Sequence, residues 1–326
     1  MDQMAENNNN VQLSKTTQGL INDVSHFFPG DVEVQFIGNL KSGYVRHDQA
    51  QVVQDGDRLY VQINDLTEPD FTATHELLHL LMTLRGFPQI YFPLTSGDKQ
   101  LDEQLMYMGT ELYDDVCHFV VYSEQRKHDL VDERIEKEYV KGVRQTITPE
   151  SGKVDDEMPL RLVTILDAMI FLGDHFDQFA DVFQRSFPIS LKAAKELYAM
   201  LTEKPVDSPF ALRRDVVKLY RDFDKQMKKW GLPPLQLNDF VMMTAVFSKR
   251  QLGLQVKQVF NLYHSELKET KTGKRAYVGF TKSDDQNSFV TSGPAGKQAS
   301  EDYFKELYSK TVKELYQDLR IPYLLR

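Results

Sequence analysis

The sequence predicts an α+β fold, with a small antiparallel sheet packed on two helices and a mostly α-helical C-terminal domain behind them. Three observations carry this. Residues 32–64 alternate apolar and polar side chains in short runs broken by turn residues, as half-buried strands do. Leu101, Leu105, Met108, Leu112, Val116, Phe119 and Val120 recur at helical spacing over several turns. From Leu160 to Leu252 the pattern is again largely helical. A chain of 326 residues that is 41% hydrophobic can bury a core large enough for two domains.

Residues 1–10, "MDQMAENNNN", are polar and are expected to form a flexible tail. A first amphipathic helix is expected from Ser14 to Phe28, closed by Pro29-Gly30. Strands follow in "VEVQFIG", "SGYVRH", "AQVVQ" and "DGDRLYVQIN", with Gly56 at a turn. Pro69-Asp70 then opens a helix that ends near Gly86-Phe87-Pro88, and a loop to Gly97 leads into the second helix. The charged stretch 127–159, with Pro149, Gly152 and Pro159, reads as a boundary, so residues 11–150 and 151–326 are taken as two domains. Helices are expected over Leu160–Phe187, Ser190–Thr202 and Pro209–Trp230, with one or two more over Asn238–Tyr263. "KRAYVGF" and "NSFVTSGPAGK" suit a hairpin, and a last helix should span Ser300–Leu319.

Several function classes are disfavoured. The net charge of −9 and the lack of a Lys/Arg stripe with interleaved aromatics argue against a nucleic-acid partner. The single Cys117 excludes an internal disulfide or a cysteine metal cluster and fits a reducing compartment. No basic, apolar leader opens the sequence. The longest apolar run, Leu162–Gly173, is too short to span a bilayer and contains Asp167. A cytoplasmic protein with no membrane partner is therefore expected. "SGPAGK" has too few glycines in the required places for a phosphate loop.

The chemistry is concentrated in "FTATHELLHLLM", Phe71–Met82, where His75-Glu76-Leu77-Leu78-His79 fits HExxH. Residues four apart share a helix face with Cβ atoms about 5–6 Å apart, so both imidazoles can grip one Zn2+ ion. Glu76 points to a neighbouring azimuth, where a carboxylate can act as general base on a water. Chance produces this motif on the order of once per hundred such chains. The flanking leucines make most faces apolar, and burying a charged carboxylate among them without a partner costs several kcal/mol. A metal ion supplies that partner.

A catalytic zinc site takes a third protein ligand and leaves one position open. The second helix offers Glu103, Glu111, Asp114, Asp115 and His118. Glu111, in "GTELYDD", is preferred, because Asp115 one turn later could accept the free N–H of a ligating imidazole and fix its tautomer. His118 is the next choice, as ligand or as transition-state donor, and Glu103 the third.

HExxH on one helix, then Glu with Asp four residues on in a second, resembles the gluzincin branch of zinc metallopeptidases. "FTATHELLHLLM" after a hairpin-rich sheet is more locally similar to the compact ImmA/IrrE-type enzymes. The likeness covers roughly residues 30–125. It implies His75, His79 and Glu111 as zinc ligands, Glu76 as base and Asp115 as the carboxylate that orients a histidine. Two departures stand out. Leu78 occupies a place where such helices often carry Gly, and the interval from His79 to Glu111 is longer than in the most compact members, so that Tyr91–Lys99 is a possible lid or edge. The implied activity is hydrolysis of a peptide or protein substrate, with the strand Arg58–Asn64 available to pair with an extended peptide. His118, His128, Tyr107, Tyr263 and His264 could serve a developing oxyanion, and spacing does not choose among them. The competing reading is a zinc-binding regulatory or protein-interaction module without turnover.

Overall fold

The computed structural model describes residues 11–294 and 297–326, so the tail expected over 1–10 lies outside them. The chain is α+β, as expected. It divides into two compact units. One comprises the chain up to Gly86 together with Cys117–Met200; the other comprises Phe87–Val116 and Leu201–Arg326. Residue 150, expected at a domain boundary, lies inside the first unit.

The first unit begins with α1, Lys15–Phe27, whose N-terminus is capped by the Ser14 hydroxyl accepting from the Thr17 amide. Three strands follow: β1 (Asp31–Leu40), β2 (Ala50–Asp55) and β3 (Arg58–Asp65). The two-residue turn Gly56-Asp57 joins β2 and β3 as a hairpin, with Gly56 at φ 61°, a left-handed conformation that glycine takes without cost. The sheet order is β1-β3-β2. β1 runs parallel to β3, from Asp31 opposite Arg58 to Phe36 opposite Ile63. The sheet is thus mixed, where sequence predicts a purely antiparallel one. Alternation dictates which face is buried, here by Leu59, Val61 and Ile63, but not which strand lies in the middle. Because β3 is paired on both edges, the strand Arg58–Asn64 has no edge left for an added peptide strand.

The connection 41–49 between β1 and β2 is held in place. Asp65 accepts from the Ser42 amide at 3.1 Å and the Thr67 amide at 2.8 Å. The Val45 amide donates to the Glu138 carbonyl at 3.2 Å. A Cβ at Gly142 would lie 2.0 Å from the Val45 carbonyl oxygen, so glycine is what admits this close approach. The short 3-10 turn His47–Gln49 closes the connection. Then come α2 (Pro69–Leu84), α3 (Lys99–Lys127, which contributes residues from Cys117 onward to this unit), α4 (Glu133–Thr146) and α5 (Met158–Leu172). α5 is buried along nearly its whole length and stops at Gly173, φ 50°. The helix expected over Leu160–Phe187 is accordingly broken, resuming as α6 (Ala180–Ser186), with α7 at Pro188–Leu201.

The second unit holds two short strands, β4 (Ile90–Tyr91) and β5 (Leu94–Thr95), the first part of α3, and α8 (Pro209–Lys229). Residues Asn238–Tyr263, expected as helix, instead form α9 (Leu237–Phe240), β6 (Met242–Met243), β7 (Ala245–Phe247), α10 (Lys249–Leu252), α11 (Val256–Val259) and the start of β8 (Phe260–Glu269). The run "VMMTAVF" is apolar enough for either state, and strand pairing wins: β7 lies beside β11 (Tyr323–Leu325). β9 (Arg275–Thr281) and β10 (Asn287–Thr291) make the expected hairpin within a four-stranded antiparallel sheet, β10-β9-β8-β5. The expected last helix is two, α12 (Lys297–Ser309) and α13 (Val312–Leu319), the second started by a Thr311–Glu314 capping box. Phe247, Phe260, Phe289 and Tyr316 centre this unit's core. Among the described residues, no helix is long and apolar enough to cross a membrane.

Candidate metal centre

α2 is fixed before its histidines are reached. Its Asp70 accepts from the Ser14 amide at 2.8 Å and from the Thr17 hydroxyl, tying α1 to its first turn. The Thr74 hydroxyl turns back to the Asp70 carbonyl at 2.8 Å. From α3, the buried Gln125 amide donates to the Phe71 carbonyl and to the Thr74 hydroxyl, both at 2.9 Å. The register of α2 against the end of α3 is thereby set by polar contacts as well as by packing.

That register brings three imidazoles together. His75 and His79 come from α2, one turn apart, and His118 from α3; one ligand atom from each lies within 4.8 Å of the others. The ring centres are separated by 4.8 Å (His75–His79), 4.9 Å (His75–His118) and 5.2 Å (His79–His118). His75 and His118 are buried, His79 half-buried.

Behind His118 stands Asp167 of α5, buried to 3% exposure. Its carboxylate meets His118 Nδ1 at 2.6 Å, accepts from the Tyr122 hydroxyl at 3.2 Å, and accepts from the Tyr139 hydroxyl. His47 Nδ1 lies 3.8 Å from its other oxygen. Burial pushes the Asp167 pKa up, but the attraction of His118 and His47 and the Tyr139 hydrogen bond outweigh it, so the group is held below the ordinary carboxylate range. In the neutral imidazole, this contact with Asp167 places the His118 proton on Nδ1 and makes Nε2 the nitrogen able to ligate. Burial, then the charges of neighbouring histidines, drives His75 well below the usual imidazole value and brings His79 down to about 3. Both rings are therefore neutral at pH 7, the state in which imidazole ligates a metal.

Two observations test whether a metal fits. His75 Nδ1 is buried without a hydrogen-bond partner, and orphaned buried polar atoms are rare enough to need a reason. Tetrahedral zinc about 2.0–2.1 Å from each nitrogen would hold nitrogen pairs about 3.3 Å apart, so the rings need to draw in by no more than about 1.5 Å. The donor set fits. His75, His79 and His118, with Asp167 behind them, can hold a metal ion.

The expected residues are distributed as follows. His75 and His79 converge, and Glu76, half-buried, lines a cavity of about 10 Å3 with His47, His75, Tyr122 and Tyr139. That is room for about one water. Glu111 belongs to none of the ligand groups found among the described residues; His118, the second choice from sequence, takes its place beside the α2 pair. The two share a stripe of α3, seven residues and about 10 Å apart along the axis. Asp115 is buried on α3 one turn before His118, while the carboxylate that meets the His118 ring nitrogen is Asp167. Glu103 is exposed and pairs with Lys99 at 3.5 Å. His128 is exposed at the end of α3, and Tyr263 and His264 lie on β8 of the second unit. Sequence reasoning did not assign roles to Asp167, Tyr139, Tyr122 or His47. The signal for Asp167 was present: a lone carboxylate in an otherwise apolar helix must find buried partners.

Compared with models of protein families, with curated proteins and with solved structures, the chain matches none of them.

Proposed function

We propose that this chain is a zinc-dependent metallopeptidase of the cytoplasm, with His75, His79 and His118 as metal ligands and Glu76 as general base. The observation that carries the reading is the convergence of a third imidazole, braced by a buried carboxylate, on the HExxH pair. When bound, the ion would supply Lewis acidity, polarising a carbonyl and acidifying a water. Glu76, which lines the small cavity beside His75, would serve as the base that takes a proton from a water there and passes it to the leaving amine. Asp167, with Tyr122 and Tyr139, holds the His118 ring and its tautomer. The likeness to gluzincins is then partial, because a histidine replaces the expected glutamate as third ligand.

One observation favours a second reading. The cavity beside Glu76 admits about one water and no peptide, which suits a metal-binding module without turnover. The purified chain with zinc, assayed on a peptide library with and without chelator, separates the two. The peptidase reading expects chelator-sensitive cleavage, lost by at least about a hundredfold in Glu76→Gln at unchanged zinc content. Zinc bound at one per chain with no cleavage in either form supports the module.

A further inference from the structure

The second unit carries a cavity of about 280 Å3 along one face of α8. Phe210, Arg214, Lys218 and Arg221 line it from that helix, with Arg326 and Val246 opposite. In a chain of net charge −9 this is a local reversal of sign. We infer that this cavity is a binding site for a small phosphorylated molecule with a compact apolar portion.

The argument turns on which cations are already committed. Arg213, also in the wall, is buried and fully used. It donates to the Met243 and Thr244 carbonyls at 3.1 and 3.0 Å, to the Ser288 hydroxyl at 3.0 Å, and to both oxygens of Asp284. That pairing also neutralises Asp284, the one acidic side chain in the lining. Arg214 is held against buried Asp215 at 2.7 and 2.6 Å. Lys218 and Arg221 are different. Lys218 Nζ approaches Glu203 only to 3.8 Å, and Arg221 Nε approaches Asp222 only to 3.7 Å, while Asp222 is bonded to Lys225 at 2.7 Å. Both separations are too long for hydrogen bonds, and such exposed pairs are worth little. One turn apart on the same helix face, the two heads leave their donors to an anion in the cavity.

The arrangement favours a phosphomonoester over a carboxylate. Two uncommitted cations, one of them the Arg221 guanidinium fork, exceed the charge of one carboxylate and match the several acceptor oxygens of a dianion. The exposed Phe210 ring, with the Arg326 guanidinium 4.8 Å above it, and Val246 give the rest of the ligand an apolar surface. The volume sits at the lower end of ligand pockets, which limits the occupant to a small molecule.

Calorimetric titration of the full chain at low salt with inorganic phosphate and with phenyl phosphate tests this. One site per chain is expected, tighter for phenyl phosphate. Lys218→Ala/Arg221→Ala should weaken it by at least about tenfold at an unchanged unfolding midpoint, as loss of charge-assisted hydrogen bonds does. The charge-matched control Lys192→Ala/Lys195→Ala, on exposed positions of α7, should leave it unchanged. No saturable binding up to about 10 mM, or equal weakening in both double variants, would overturn the inference.

Discussion

Each unit buries a polar cluster, and the two clusters are finished to different degrees. In the second, every nitrogen of the Arg213 guanidinium has acceptors supplied by Met243, Thr244, Thr281, Asp284 and Ser288. In the first, Asp167 is equally well served by His118, Tyr122 and Tyr139, yet in front of it His75 Nδ1 is left buried with no partner. Satisfied buried networks rigidify a fold, while an unsatisfied group keeps a desolvation cost that a ligand can relieve. By this criterion the Arg213 cluster is structural, and the histidine cluster keeps a buried nitrogen that a metal ion could satisfy.

The largest effect that would break this contrast is on stability. Arg213→Ala leaves Asp284 and two buried carbonyls without their donor and is expected to cost about 3–5 kcal/mol in urea unfolding, with metal content unchanged. A cost under about 1 kcal/mol would show that the cluster is not what holds that region together. Next comes Asp167→Asn, which should weaken zinc binding about 10–100-fold by equilibrium dialysis, because the His118 ring loses the anion that sets its tautomer. Unaltered affinity would remove Asp167 from the candidate metal centre.

The smallest effect sharpens the role of the connection 41–49. Burial pushes the Asp65 carboxyl up, but its bonds to Thr67 and Ser42 outweigh that and hold it below its ordinary value. A folded-state pKa below the unfolded one contributes stability that is present above the unfolded value and is lost as pH falls through the folded value. Asp65→Asn should therefore cost about 1 kcal/mol at pH 7. The gap from the parent chain should close as pH falls below about 3.9. A gap independent of pH would mean that the charge of Asp65 is irrelevant.

Sequence patterning reached what is local. The Ser14 cap and Pro29-Gly30 bracket α1, Pro69 opens α2, and the four-residue spacing puts His75 and His79 on one face. It did not reach what depends on how elements cross. Alternation along β3 shows its buried face but not that β1 lies parallel beside it. Glu111 and His118 lie on the same stripe of α3, and only the level at which α2 meets that helix selects between them. Asp167 reads in sequence as an interruption of an apolar helix, because its partners His118, Tyr122 and Tyr139 are brought to it from two other helices.

Metal analysis of the purified chain beside His118→Ala and Glu111→Ala tests the assignment of the third ligand most directly. About one zinc per chain in the parent and in Glu111→Ala, with less than about a tenth in His118→Ala, is the expected result. Zinc retained without His118 but lost without Glu111 would contradict the three-imidazole centre.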